Sequence, residues 1–291
     1  MKRLRISAIS FLNTAPLMWD FEHGERQEDF DIEYTLPSRC AGALRAGAAD
    51  IGIIPAISYQ TIPDLVVIPE IAIAAKGPVR SILLVSKVAL ESINSVAVDT
   101  SSRTSAALLQ ILFAKYWRPN VETRQQSSEP KFIPMEANLG SMLKGCDAAL
   151  LIGDPALAID RRRYHVLDLA EEWHKVTGKP FVFAFWAVRK QALAAQPLRD
   201  ELTEIFQRSR DHGLANVDLL AKEWAPRLSL DSSDIKTYLT KNISYSLDQQ
   251  NLAGLRLFFD DASRLGIIPG TPRHIEFLST AAADKVSAFS R

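Results

Sequence analysis

Only two cysteines occur in 291 residues, Cys40 and Cys146, and neither has a histidine or second cysteine at metal-ligand spacing. That excludes a disulfide framework and a structural zinc, and two reduced, buried thiols are expected. An excess of one charge is also missing, since 34 Lys and Arg balance 34 Asp and Glu. A general nucleic-acid surface needs a basic excess to displace counterions, so no nucleic-acid partner is expected, while a local anion site stays open. No stretch approaches 18 uncharged apolar residues, and no membrane span is expected. Met1-Lys2-Arg3 begins like an export signal, but LRISAISFL carries Arg5 and two serines and runs straight into LNTAP. It has no long apolar core and no small-residue cleavage site, so a soluble cytoplasmic protein is expected. GxGxxG, P-loop, HExxH and GxSxG patterns are absent, and neither a metal nor a phosphate-bearing cofactor is indicated.

What is present is a strand–turn–helix rhythm. Leu4 to Ser10 reads as a strand, LNTAPLMWDF as a turn entering a helix, and FDIEYTL as a strand broken by Pro37-Ser38. RCAGALRA is a short helix, and ADIGII a strand closed by Pro55. After two β-rich segments, VVIPEIAIAA and VRSILLVSK, the rhythm restarts with SVAVD, a helix over SSRTSAALLQILFAKYW, the strand KFIPM, a helix over ANLGSMLKG and the strand CDAALLIGD. YHVLDLAEEW then leads to the long β segment FVFAFWAVRK. Beyond Pro197 the pattern is helical, and residues after Pro269 read as a ragged end. This repetition predicts a parallel α/β arrangement with ligands at the carboxyl ends of its strands.

The restart implies two lobes, joined by β-rich segments near 80–86 and 182–189, with a cleft between them. The first lobe is expected to comprise 1–82 and 189–291, including the late helices, and the second 83–188. A single large sheet is the alternative architecture.

Candidate site residues cluster at strand ends. After SVAVD come Thr100, Ser101, Ser102, Arg103, Thr104 and Ser105. Free N–H groups and hydroxyls at a helix start form a carboxylate site, to which Arg103 adds a bidentate partner. The plainer reading is that Ser101 or Ser102 caps the helix while Arg103 points to solvent or to Asp99. Asn13 and Thr14 follow the first strand, where an amide suits a hydroxyl or carboxylate but also suits a turn. Ser38 follows the second strand and either faces the cleft or caps a helix. Pro55 closes the third strand. Ser81 is a polar residue in an apolar β segment, expected to turn its hydroxyl to the cleft or to the backbone. Gly153 admits close backbone approach, and Asp154 reads as a base, a cap or a hinge residue. The five histidines fall away from strand ends. Among Trp173, Phe181, Phe183, Phe185 and Trp186, packing is the default role, with one of them open to a place in the cleft wall.

ISFLNTAPL (9–17), LPS (36–38), ADIGIIP (49–55), VRSILLVSK (79–87), VDTSSRTSAALL (98–109), DAALLIGDPAL (147–157) and EEWHKVTGKPFVFAFWAVR (171–189) are together similar to the chorismate dehydratase (MqnA) family of the futalosine route to menaquinone. The resemblance spans residues 9 to about 265. It implies a two-lobed type II periplasmic-binding-protein-like α/β fold used as a carbon–oxygen lyase on the small dianion chorismate, with no cofactor. It also supports Asn13 and Ser81 as the pair at the reacting part of the substrate. Two alternatives stay open: a solute-binding protein for small anions, and the sister 1,4-dihydroxy-6-naphthoate synthase. Oligomeric state is left open by the sequence.

Overall fold

The computed structural model describes residues 3–24, 28–117, 129–194 and 197–279. Among them ten strands form two five-stranded sheets. The first sheet contains β1 (Leu4–Ile9), β2 (Phe30–Thr35), β3 (Ile51–Pro55), β4 (Leu65–Ala75) and β10 (Phe181–Arg189), in the order β2-β1-β3-β10-β4. The second contains β5 (Ile82–Ser86), β6 (Ser95–Asp99), β7 (Lys131–Met135), β8 (Ala148–Ile152) and β9 (His165–Asp168), in the order β7-β6-β8-β5-β9. In each sheet three neighbouring strands pair in parallel, and one strand, β10 or β5, runs against the other four. The two orders correspond position by position, which is the restart read in the sequence. There are thus two sheets, and the single large sheet is excluded.

The helices are α1 (Trp19–Glu22), α2 (Pro37–Ala46), α3 (Thr104–Ile111), α4 (Leu139–Gly145), α5 (Asp154–Leu157), α6 (Leu169–Thr177), α7 (Lys190–Leu193), α8 (Leu202–Ala215), α9 (Val217–Leu228), α10 (Ser232–Thr237) and α11 (Gln249–Arg264). Local chemistry sets their ends. Pro37 opens α2, where its missing N–H loses no bond, and Gly47 closes it in the left-handed region at φ 72°. Asp168 caps α6 by accepting from the N–H groups of Ala170 and Glu171. The helix predicted over 101–117 starts later, at Thr104, and its last turn widens into a π-helical segment over Leu112–Trp117.

β10 belongs to the first sheet, pairing antiparallel with β3 and β4. The chain therefore returns to the first lobe before Phe181, not at 189 as the sequence reading placed it. A fully apolar strand buried on both faces has no polar alternation to reveal which sheet it joins. The crossings are the short segments before β5 and β10. Asp168 clamps the first of them, with its carboxylate accepting from Val79 N–H at 3.1 Å and Arg80 N–H at 2.6 Å. Arg80 itself sits at φ 66°, a strained position for a non-glycine residue. The second crossing is packed by α11, where a Cβ added at Gly254 would stand 2.1 Å from the Pro180 carbonyl.

The late helices return to the first lobe. α8 packs on α1 and β4, and α11 on β10. The segment after Pro269, expected to be ragged, is docked over its described part. Phe277 bridges Val67 of β4, Val67 N–H donates to the Glu276 carbonyl, and Arg273 donates to the carbonyls of Tyr59 and Ile62. Its apolar residues are too few to show a period. Both cysteines are buried free thiols.

Candidate functional site

A solvent-open cleft lies between the sheets, the kind of concave place where small molecules bind. It is built at the carboxyl ends of the parallel strands: Ile9 ends β1, Pro37 follows β2, Pro55 ends β3, and Gly153 follows β8. β4, β5 and β10 give apolar walls through Ile73, Ile82, Phe183 and Ala184. One whole side is the run Ser101–Ser105 leading into α3.

In that run the helix-cap reading of Ser101 and Ser102 does not hold. Asp99 shapes the turn by accepting from Ser101 N–H at 2.8 Å and Ser101 Oγ–H at 2.7 Å. Neither Ser101 nor Ser102 caps the helix. The N-cap position is Arg103, in helical geometry and without a side-chain cap bond. Thr104 and Ser105 of the first turn of α3 line the cleft, and a helix start favours an anion. The Ser102 hydroxyl is buried and has no hydrogen-bond partner. A buried unpaired hydroxyl is costly, and one aimed at a cleft marks a missing ligand. Thr104 Oγ1 accepts from Ile57 N–H of the first lobe at 3.3 Å, which leaves its own proton to donate. Arg103 is exposed at the rim, and its guanidinium has no hydrogen bond or ion pair among the described residues. It does not turn back to Asp99.

Opposite stands Asn13. Thr14 Oγ–H donates to Asn13 Oδ1 at 3.2 Å, so the amide's NH₂ is the end left for other partners. The structure brings Asn13, Pro55, Ser101, Ser102, Arg103, Thr104, Ser105 and Gly153 around one cleft. Thr14, Ser38, Ser81 and Asp154 are not in its lining, although each is the chain neighbour of a residue that is. Ser38 is half-buried in the first turn of α2, and the N-cap there is Leu36, so Ser38 does not cap it. Ser81 is completely buried just before β5, its carbonyl accepting from Gly153 N–H at 2.8 Å. The expectation that its hydroxyl faces open cleft is corrected, because the hydroxyl instead accepts a hydrogen bond from Tyr238 at 2.8 Å.

Asp154 heads α5, and its Oδ1 accepts from Leu12 N–H of the other lobe at 3.0 Å. Burial is the larger influence on its carboxyl and outweighs that hydrogen bond, pushing the pKa up to about 6. Gly153 sits at φ 65°, and a Cβ there would stand 2.5 Å from the Phe11 ring. Glycine is thus required both by the backbone and by the approach of Phe11 from the facing lobe.

Phe183 is the aromatic residue of its strand that reaches the cleft, while Trp173, Phe181, Phe185 and Trp186 are core. Among the described residues no histidine lines it. Two residues of the site region were missed in the sequence. Phe11 looks like the continuation of β1. Tyr238 lies 157 positions beyond Ser81 in a segment that reads as an ordinary amphipathic helix, and no local signal marks it.

The sequence over residues 4–264 matches the model of a family described as menaquinone biosynthesis. The chain belongs to that family. It is 29% identical over 275 residues to a chorismate dehydratase of Thermus thermophilus, a match covering 88% of this chain and 93% of the relative. A chorismate dehydratase of Campylobacter jejuni is 30% identical over 125 residues, covering 42% of this chain and 52% of that one. Among solved structures, an Archaeoglobus fulgidus protein superposes with a TM-score of 0.70 at 18% identity, covering 91% of this chain and 98% of its own. The periplasmic aliphatic sulphonate binding protein of Escherichia coli superposes with a TM-score of 0.62 at 14% identity, covering 94% and 95%. The fold is periplasmic-binding-protein-like, as the resemblance implied. No helix among the described residues is long and apolar enough to cross a membrane.

Proposed function

We propose that the protein is a chorismate dehydratase, a carbon–oxygen lyase that removes water from chorismate to give 3-(1-carboxyvinyloxy)benzoate for menaquinone biosynthesis in the cytoplasm. The observation that carries the reading is the uncapped start of α3, with the unpartnered Ser102 hydroxyl and the unpaired Arg103, facing Asn13 across an otherwise apolar cleft. Its family and its likeness to the Thermus enzyme over most of both chains support the substrate.

Chorismate carries two carboxylates, one hydroxyl and an apolar cyclohexadiene ring. The ring suits Ile73, Ile82 and Phe183, and one carboxylate suits the N–H groups and hydroxyls of 102–105. Loss of water creates an aromatic ring, so the step is strongly downhill and the protein has mainly to orient the substrate and move one proton.

The site offers no histidine, and a carboxylate beside a dianion is held back by repulsion as well as burial. The proton acceptor in this reading is the substrate's own enolpyruvyl carboxylate. It takes the ring proton, the C–H electron pair forms the new C=C bond, and the C–O bond breaks. The departing hydroxide takes up the proton that the enolpyruvyl carboxyl group now holds and leaves as water, and the carboxylate is restored. Asn13 holds the enolpyruvyl carboxylate, and Ser81 the leaving oxygen. Ser81 is buried beside the lining residue Ile82, so this role requires its hydroxyl to become accessible when substrate enters.

The fold likeness to a sulphonate-binding protein favours a second reading, capture of a small anion without chemistry. Incubating the purified protein with chorismate and following the aromatic product by chromatography separates the two. Catalytic product formation is expected. A tight chorismate complex without turnover overturns the enzyme reading, and neither binding nor turnover points to the sister synthase.

A further inference from the structure

We infer that Tyr238 is a positioning residue that fixes the direction in which Ser81 donates its proton. This rests on the role given above to Ser81.

Tyr238 opens a π-helical turn over Tyr238–Asn242 that follows α10 directly. Such turns displace side chains from the regular helical register and recur at functional sites. Here the turn delivers a tyrosine, only 2% exposed, from the late helices to the junction of the lobes. Asn242 of the same turn donates to the Pro78 carbonyl at 2.9 Å, which anchors the turn on the first crossing.

The phenol touches one residue of the proposed reacting pair. Its Oη–H donates to Ser81 Oγ at 2.8 Å. A phenol oxygen has one proton, and that proton is committed to Ser81. Burial, aided by the nearby carboxylates of Asp154 and Asp168, holds the phenol protonated well above its ordinary range, so the donor is present at every working pH.

A serine hydroxyl has one proton. Once its lone pair accepts from Tyr238, that proton is directed away from the phenol and is free for an oxygen of bound substrate. The order Tyr238 O–H to Ser81 and Ser81 O–H to substrate runs one way, and the first bond polarises the second. The Ser81 backbone is fixed as well, by Gly153 N–H and by the Asp168 clamp on Val79 and Arg80. Without the phenol, the hydroxyl would be free to rotate while the fold around it stayed in place.

The test is Tyr238→Phe, alone and combined with Ser81→Ala. Expected is a fall in kcat of about 10–100-fold with KM within about threefold, the size of one charge-assisted hydrogen bond. The double variant is expected to be no slower than Ser81→Ala, because both changes break one relay. A residue that only packs would lower the melting temperature and act additively. Wild-type kcat in Tyr238→Phe, or additive losses in the pair, overturns the inference. Should that variant fail to fold, site-specific 3-fluorotyrosine keeps the shape and alters donor strength. A changed kcat at constant KM supports the role, and an unchanged kcat overturns it. If the wild type itself shows no chorismate turnover, the functional reading has failed instead. The relay is then judged by the Tyr238 hydroxyl proton resonance, which moves in Ser81→Ala if the bond exists and stays fixed if it does not.

Discussion

Leu12 and Asp154 join the two lobes directly: the Leu12 amide donates to Asp154 Oδ1 at 3.0 Å. Leu12 follows the first strand of one sheet, and Asp154 follows the third parallel strand of the other. The contact ties both ligand edges together, and it does so with a carboxyl whose pKa is raised from 3.8 to about 6 by burial.

That shift has a defined sign. Below about pH 4 the folded and unfolded chains both hold the proton, and ionisation has no effect on stability. Between about pH 4 and 6 the unfolded chain releases it first, so the wild type loses stability as pH rises. Two pKa units correspond to at most roughly 3 kcal/mol, reduced by the partial exposure of the group. Asp154→Asn cannot ionise and keeps an oxygen for the Leu12 amide. Its melting temperature, compared with wild type, is expected to pull ahead between pH 4 and 7. The same variant is expected to keep turnover within about tenfold, while Asn13→Ala loses far more. The opposite pattern, with folding and binding intact, would make Asp154 an ordinary protein base.

Gly153→Ala is expected to damage the cleft more than the fold. The new methyl would meet the Phe11 ring, and the backbone angle at φ 65° would strain any other residue. A loss of about 1–3 kcal/mol in urea unfolding is expected. Because Phe11 must move off the facing lobe, kcat/KM is expected to fall by more than tenfold. Unchanged kinetics would show that Phe11 has room to shift.

The helical rhythm and the strand ends made much of this site legible in advance. Asn13, Pro55, Ser101–Ser105 and Gly153 are polar or turn residues at strand ends, and a parallel sheet turns those ends to its ligand. Tyr238 was not legible, because it reaches the site through a π-helical turn whose register differs from the one a 3.6-residue period assumes. Phe11 was hidden in what reads as strand. β10 reads as part of the other lobe because eight consecutive buried positions carry no pattern. Ser81 shows the reverse failure: a lone serine in an apolar strand was read as facing the cleft, while its partner lay far along the chain.

Asp168 has a separate consequence. Its carboxylate accepts from four backbone N–H groups, those of Val79, Arg80, Ala170 and Glu171. Two belong to a lobe crossing and two to the start of α6. Asp168→Ala would leave these donors unpaired, and a loss of about 2–4 kcal/mol is expected, read from the urea midpoint. Asp168→Asn, which keeps an acceptor, is expected to recover part of it. Equal losses in both would point to charge in place of hydrogen bonding.

The central claim is that the stretch from Ser101 to Ser105 holds a carboxylate and moves no proton. The most direct measurement is calorimetric titration of the reaction product, a dianion that does not turn over, into the wild type and Ser102→Ala, with kcat measured on the same preparations. The account predicts affinity weaker by about 10–100-fold in the variant, the worth of one hydrogen bond to a charged group, with kcat within about threefold. Unchanged affinity with a collapsed kcat would contradict it and would place Ser102 in the catalytic step.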